Sequence, residues 1–305
     1  MLEFDNNWKA LLQPGQATTY FVGHQNIPFQ PEEAAFSRAN AWWLAELSRL
    51  IYRQERNELG SAAQPPTRQD ILNAVGLQEI AFFDNNGTQG ALVASARPDP
   101  DTFAVLVFRG TNALGDWSDN VKALSAPDFR LEPWPRGGQV HLGFSQALER
   151  VWEAIESELA KIQGPLFYTG HSLGAALATL AASQRPPRAL YTFGSPRVGN
   201  QDFAATLATC PTFRVVNNRD VVTRLPPPVR GLCHVKELHY IAHDGRLLTN
   251  PSEDLVGTDR QLDDLTFDLE RSLVDRLTGP PQFLADHAPI NYVAHLERDL
   301  FSTTH

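Results

Sequence analysis

Short runs of apolar residues that end in glycine or a polar residue are the feature that most restricts the fold of this chain. Four such runs lie at 103–108, 166–168, 189–193 and 213–216. A strand that is buried on both faces has this nearly continuous apolar texture, which is typical of parallel sheets. Segments with helical periodicity lie between the runs. We therefore predict an α/β protein with a mostly parallel central sheet flanked by helices.

Several helices and one hairpin are predicted around these strands. Apolar residues recur at helical spacing over 32–53 and 144–159, and an acidic amphipathic helix is predicted over 254–278. The capping-box sequence that begins at Thr67 predicts a further helix. An Asn-Gly pair at 86–87 predicts a tight hairpin turn at one edge of the sheet. No internal repeat or long linker interrupts the chain, so residues 1–305 are predicted to form a single domain.

Charge and cysteine content exclude several functional classes. The chain has 26 Lys and Arg against 35 Asp and Glu, a net charge of −9, which disfavours binding to nucleic acid by bulk charge. The two cysteines, Cys210 and Cys233, are too few for a disulfide framework and lack metal-binding spacing. No His-Glu-x-x-His motif or Cys/His cluster occurs in the sequence. We expect no metal and no cofactor.

The sequence also carries expectations about membranes and compartment. The first thirty residues lack a basic start followed by a long apolar run, so we expect no secretory signal. The longest apolar run, 175–182, is too short to span a bilayer, and no transmembrane segment is expected. The expected location is the cytoplasm, or release without a recognisable signal peptide.

A serine between two glycines carries the strongest chemical signal. The segment Gly170-His171-Ser172-Leu173-Gly174 follows a predicted strand and opens a predicted helix. A sharp turn at this junction exposes the serine oxygen to a general base and brings helix-start N–H groups near a developing oxyanion. A side chain at either glycine would strike the neighbouring strand or helix. We predict that Ser172 is a nucleophile.

A serine nucleophile needs an acid and a base in the chain order Ser, Asp or Glu, His. Asp220 follows the run 213–216, where the carboxyl end of a parallel strand would place it near Ser172. Asp202 is its main rival, although a longer stretch separates it from the preceding strand. Among the later histidines, spacing leaves both His243 and His287 open as the base.

Oxyanion donors and a lid are predicted from the segment after the first strand run. The backbone N–H of Leu173 is one expected donor, and the Arg109-Gly110-Thr111 turn is expected to supply the other. The next apolar residues recur at spacings of three, four and three, which places them on one face of a short helix. These residues are Leu114, Trp117, Val121 and Leu124. This helix would either cover the site as a mobile lid or pack permanently on the sheet.

Six sequence blocks together resemble the class 3 (fungal-type) lipases. They come in the order of that family and lie between about residues 103 and 240. The blocks are Val107-Phe-Arg-Gly-Thr111, Asp116-Trp-Ser-Asp119, Val140-His-Leu-Gly-Phe144, Thr169-Gly-His-Ser-Leu-Gly-Ala-Ala-Leu-Ala-Thr179, Thr192-Phe-Gly-Ser-Pro-Arg-Val-Gly199 and Val216-Asn-Asn-Arg-Asp-Val-Val-Thr-Arg-Leu-Pro226. The paired cysteines and leader of a secreted fungal member are missing from the sequence, which favours a bacterial relative.

The resemblance implies an α/β-hydrolase fold and a role for each catalytic residue. It implies Ser172 as nucleophile and Asp220 as the orienting acid, and it favours His287 because Asp286-His287 followed by Tyr292 matches the family's late Asp-His pattern. It further implies Thr111 and Leu173 as oxyanion donors and a lid over 112–125.

The activity implied by the resemblance is carboxylic ester hydrolysis through an acyl-enzyme, foremost on triacylglycerol at a lipid–water interface. Two related activities stay open, namely a phospholipase or galactolipase of the A1 type and a feruloyl-type esterase. From another class, a catalytically inactive hydrolase-fold binding protein is the remaining alternative.

Overall fold

The computed structural model describes residues 2–3, 5, 7–53, 65–96, 102–111, 124, 129–270 and 279–302. Two sheets form its centre. The strands are β1 Leu77–Asn85, β2 Thr88–Ser95, β3 Ala104–Phe108, β4 Leu131–Pro133, β5 Gln139–His141, β6 Leu166–His171, β7 Ala189–Phe193, β8 Gly199–Asn200, β9 Thr212–Asn217, β10 Leu232–Cys233, β11 Leu238–Ile241 and β12 Leu247–Thr249.

The large sheet has eight strands in the order β1-β2-β3-β6-β7-β9-β11-β12. The pairings from β3 through β6, β7 and β9 to β11 are parallel, whereas the β1–β2–β3 and β11–β12 pairings at the two edges are antiparallel. The predicted mostly parallel sheet and its edge hairpin are therefore confirmed. The hairpin turn has positive φ at Asn86 (48°) and Gly87 (81°), as an Asn-Gly turn of this kind requires.

Helices cover both faces of the large sheet. They are α1 Trp8–Leu12, α2 Arg38–Leu50, α3 Arg68–Ala74, α4 Leu142–Leu159, α5 Leu173–Gln184, α6 Gln201–Thr206, α7 Glu253–Glu270, α8 Gln282–Ala285 and α9 Pro289–Ser302. The capping box at Thr67 and Asp70 begins α3 as predicted. Helix α2 is shorter than the predicted 32–53 because Ser37 caps it, accepting a hydrogen bond from the Asn40 N–H.

Strand β3 shows why the predicted strands read as continuous apolar runs. Val105 and Val107 belong to the hydrophobic cluster under α2 and α9, while Leu106 and Phe108 belong to the cluster under α4 and α5. Both faces of the strand are therefore buried, so every position needs an apolar side chain.

The acidic helix meets its prediction only in part, and the structure adds features beyond the sequence expectations. The acidic helix is observed over 253–270, and residues 271–278 lie outside the described residues. Cys210 is buried and Cys233 is half-buried, and neither forms a disulfide. Four short strands form a second sheet, in the order β10-β8-β5-β4, that the sequence did not predict.

The N-terminal segment is held against the body of the protein. Glu46, fully buried in α2, accepts a hydrogen bond from the Phe21 N–H at 2.9 Å and pairs with Arg49. Leu11 and Leu12 of α1 pack against Ala288, the residue after His287. This packing brings α1 to the predicted catalytic loop. Across the described residues, no helix is long and apolar enough to cross a membrane.

Candidate active site

Ser172 occupies a strained turn between β6 and α5. Its backbone has φ 60° and ψ −126°, a conformation that residues other than glycine rarely adopt. A Cβ at Gly170 would lie 2.4 Å from the Gly174 carbonyl carbon, and a Cβ at Gly174 would lie 2.2 Å from the Phe108 carbonyl oxygen. The predicted need for both glycines is confirmed, because the turn has no room for a side chain at either position.

Asp220 and His287 form a buried hydrogen-bonded pair. His287 Nδ1 lies 2.9 Å and 2.8 Å from the two carboxylate oxygens of Asp220. Asp220 Oδ2 also accepts from the Tyr292 hydroxyl at 2.5 Å, and Oδ1 accepts from the Val222 N–H at 2.9 Å. These bonds require Nδ1 to carry the imidazole proton, since a carboxylate only accepts. The arrangement leaves Nε2 of neutral His287 as the ring nitrogen that can take a proton.

The electrostatics of Asp220 favour its ionised form. Its full burial opposes the charge, but His287 beside it and hydrogen bonds from His287 and Tyr292 together hold the carboxyl pKa below its ordinary value. Asp220 is therefore ionised near neutral pH and can stabilise a positive charge that develops on His287.

Two loops are clamped together to hold this pair. Asn217, at the end of β9, donates its N–H to the Tyr292 hydroxyl at 3.1 Å and its side-chain amide to the Asp286 carbonyl at 3.0 Å. The N–H of Arg219 donates to the Asp286 side chain at 3.0 Å. The loop after β9 and the loop before α9 are thus fixed to each other on both sides of the Asp220–His287 contact.

Ser172, His287 and Thr111 line one small cavity of about 10 Å³, which is room for about one water molecule. Leu11 and Pro14 from the N-terminal segment form another part of its wall. Ser172 is 7% exposed and His287 is 1% exposed. An ester can therefore reach the serine only after part of this wall moves.

The two residues predicted to supply oxyanion donors, Leu173 and Thr111, lie beside Ser172. Leu173 is the first residue of α5, where a backbone N–H has no partner within the helix and the helix dipole favours negative charge. Thr111 follows β3 and reaches the cavity from the neighbouring parallel strand. The oxyanion roles of Leu173 and Thr111 stay predictions.

A chain of hydrogen bonds that the sequence did not predict joins the two halves of the site. The Tyr52 hydroxyl lies against Gly110 of the predicted oxyanion turn, 2.1 Å from where a Cβ at Gly110 would be, and it lies 3.0 Å from His171 Nδ1. His171 Nε2 donates to the His287 carbonyl at 2.7 Å. Because a carbonyl only accepts, Nε2 carries the proton and Nδ1 accepts from Tyr52. This chain positions the oxyanion turn and His287 relative to the same histidine.

Acid is expected to destabilise the fold through His171. Burial, and next the charge of His287, lower its pKa from 6.5 to about 3. Between these two values the unfolded chain binds a proton that the folded chain does not, so the free energy of unfolding rises with pH by about 1.4 kcal/mol per pH unit from this group. The free energy of unfolding is measured by urea titration at several pH values across this window. Its slope against pH should be smaller by about that amount in His171→Gln. Equal slopes in the two proteins would contradict a neutral buried His171.

The rival candidates for the acid and base lie elsewhere. His243 contacts Asp259 of α7 with its ring and donates its backbone N–H to the same carboxylate at 3.0 Å. Asp202 is exposed in the first turn of α6. Spacing could not separate His243 from His287, because the distinction depends on how loops distant in the sequence pack together.

The lid prediction falls mostly outside the described residues. Leu114, Trp117 and Val121 are not among them. Leu124 is described, is partly buried and packs against the hydrophobic cluster under α4. The predicted lid over 112–125 stays a prediction.

Comparisons with known proteins agree on one family. The family model for lipase (class 3) matches residues 105–230. A secreted mono- and diacylglycerol lipase of Fusarium solani is 43% identical over 116 residues, which covers 34% of this chain and 35% of that protein. A lipase of Caenorhabditis elegans is 31% identical over 225 residues, which covers 68% of this chain and 60% of that protein. The chain thus matches less than two thirds of the length of either relative.

A solved structure supports the fold over a longer stretch. The mono- and diacylglycerol lipase of Aspergillus oryzae superimposes with a TM-score of 0.58 at 20% identity, covering 86% of this chain and 99% of that chain. The predicted α/β-hydrolase fold, with its mostly parallel central sheet and flanking helices, is confirmed.

Proposed function

Since this chain belongs to the class 3 lipase family, we propose that it hydrolyses carboxylic esters of acylglycerols with Ser172 as nucleophile, His287 as base and Asp220 as orienting acid. One observation carries the proposal. The strained serine turn and the buried Asp220–His287 pair meet at a single cavity. A serine hydroxyl becomes a useful nucleophile when a base oriented by a third group can take its proton.

The proposed reaction begins with proton transfer from the Ser172 hydroxyl to Nε2 of His287. The serine oxygen attacks the carbonyl carbon of the ester, and the N–H groups of Leu173 and Thr111 stabilise the negative charge on the carbonyl oxygen. His287 then gives its proton to the departing alcohol, which leaves an acyl-enzyme. In the second half, His287 takes a proton from water as the water oxygen attacks the acyl carbon. His287 then gives this proton to the departing Ser172 oxygen, which releases the fatty acid and restores the serine.

Asp220 acts in this scheme through His287. Its contact with Nδ1 fixes the ring orientation and the tautomer in which Nε2 is the nitrogen that accepts a proton. Its negative charge stabilises the imidazolium that exists during each half of the reaction. Tyr292 and the Val222 N–H hold the carboxylate in place.

The proposed substrate is a lipid ester at an interface, with triacylglycerol foremost. Two relatives support an acylglycerol substrate, since they are named as mono- and diacylglycerol lipases. The closed cavity supports interfacial action, because an apolar surface offers a partner for the wall that must move. A net charge of −9 repels the fatty acids released there, so docking is proposed through the apolar lid face around Trp117.

Substrate preference is tested by hydrolysis rates on tri-, di- and monoacylglycerols of short and long chain length, each below and above its aggregation limit. We expect long-chain acylglycerols to be cleaved and the rate to rise abruptly once the substrate aggregates. A hyperbolic rate curve with no jump would contradict interfacial opening. Cleavage of phospholipid or feruloyl esters without cleavage of acylglycerols would contradict the proposed substrate class.

A further inference from the structure

An arginine-lined pocket lies under the start of α7, outside the catalytic cavity. Its volume is about 290 Å³, and β9 and β11 form its floor. The positively charged residues that line it are Arg197, Arg214, Arg224 and Arg260, and the ring of His234 lies beside them. This gathering of cations is unexpected in a chain with a net charge of −9.

The guanidinium groups of this pocket lack compensating charges. Throughout the part of the chain that the structure describes, none of the four forms an ion pair with a carboxylate. Arg197 donates to the carbonyls of Arg224 and Pro226, and Arg260 donates to the Asn218 carbonyl. Carbonyl oxygens satisfy hydrogen bonds but cancel no net charge, so no ion pair among the described residues neutralises these four groups.

Arg214 is the clearest case. It projects from the middle of β9, and its Nε is buried without a hydrogen-bond partner. Burial, followed by the like charge of Arg197, lowers the pKa of Arg214 to about 10, so the group stays protonated at neutral pH. Arg214 as a whole is only half-buried and lines the pocket, so its guanidinium group is open to an anion there. The acidic residue among the described lining, Glu253, is exposed.

A second pocket of about 450 Å³ continues from the first and shares Arg224, Gly257 and Arg260 with it. Val221 and Phe283 form its apolar wall, and Phe283 is 40% exposed. The Val221 N–H donates to the Phe283 carbonyl at 3.2 Å. Arg219, Arg224 and Arg260 also line this second pocket, so the combined space is cationic along its length and has its apolar wall at the Phe283 end.

We propose that the two pockets together bind an amphipathic oxyanion, with its carboxylate or phosphate group between Arg197, Arg214 and Arg224 and its apolar tail against Val221 and Phe283. Guanidinium groups suit this ligand because their paired N–H donors match the oxygens of a carboxylate or phosphate. Arg214 supplies a guanidinium group whose Nε is buried and has no hydrogen-bond partner. This site is separate from the catalytic cavity, so it does not depend on the proposed ester hydrolysis.

The ligand class is tested by calorimetric titration with octanoate, octyl phosphate, acetate and inorganic phosphate at constant ionic strength, with chloride as the reference ion. We expect the octyl compounds to bind at least about tenfold more tightly than the short anions, because the tail buries apolar surface. The tighter of the two octyl compounds identifies the preferred head group. Equal affinity for octanoate and acetate would overturn the tail contact, and no binding beyond that of chloride would overturn the site.

Substitutions test whether the ligand binds in this pocket. Arg224→Ala removes an exposed side chain and should weaken octyl-compound binding about tenfold or more. Arg214→Met should abolish stabilisation by the anion while leaving the anion-free protein equally stable or more stable, because it removes the uncompensated charge. Arg150→Ala, an exposed arginine on α4, is the matched control and should bind as the unaltered protein does. Unchanged affinity in both pocket variants would overturn the proposal and indicate binding in the catalytic groove.

Discussion

Replacing Ser172 with alanine is expected to lower the turnover of ester substrates by about 10⁶-fold, the loss typical of a serine triad without its nucleophile. The fold should be retained, because alanine also has a Cβ and is strained by a φ of 60° to the same degree as serine. The measurement pairs kcat on a soluble short-chain ester with the thermal unfolding midpoint.

Ser183→Ala is a matched control for this variant. Ser183 is buried in the same helix, α5, and bonds to the Leu180 carbonyl and the Trp134 ring N–H. Its loss should lower the free energy of unfolding by about 1 kcal/mol and spare turnover. If Ser172→Ala retained most of the activity, another residue would be the nucleophile.

Replacing His287 with alanine is expected to lower kcat by about four orders of magnitude or more, since Ser172 loses the group that takes its proton. His243→Ala provides the comparison, because His243 also contacts a buried carboxylate, Asp259. That contact joins the loop after β11 to α7, so His243→Ala should reduce stability and keep catalysis.

The base assignment depends on the contrast between these two variants. Both are measured at a temperature well below their unfolding midpoints, so that loss of folded protein does not mimic loss of chemistry. A fully active His287→Ala together with an inactive His243→Ala would contradict the choice of His287. Such a result would assign the base to the His243–Asp259 pair.

Local sequence sufficed to predict the parallel strands at the centre of the large sheet and the serine turn. Both faces of β3 are buried, so its apolar character is continuous and visible in the sequence. The serine turn needs two glycines within five residues because backbone atoms lie within 2.4 Å of where their side chains would be. These constraints act on neighbouring residues, and so they leave a pattern in a single sequence.

The rest of the site depends on contacts between residues far apart in the sequence, which a single sequence does not reveal. Tyr52 and His171 are 119 residues apart, and their contact follows from how α2 packs beside β6. The cavity wall formed by Leu11 and Pro14 likewise depends on the docking of the N-terminal segment. One local signal for the arginine pocket was present. Arg214 interrupts the apolar run 213–216, and a charged residue among buried neighbours in a strand indicates a polar partner or a ligand.

Covalent labelling with a fluorophosphonate tests most directly whether Ser172 is the activated nucleophile. The expected result is one phosphonyl group per chain, located on Ser172 by peptide mass spectrometry, with ester hydrolysis lost in proportion to labelling. Labelling should be much slower in His287→Ala, because the serine is then no longer activated. Full hydrolytic activity in a protein whose Ser172 is completely labelled, or inactivation by a label on another residue, would contradict the assignment.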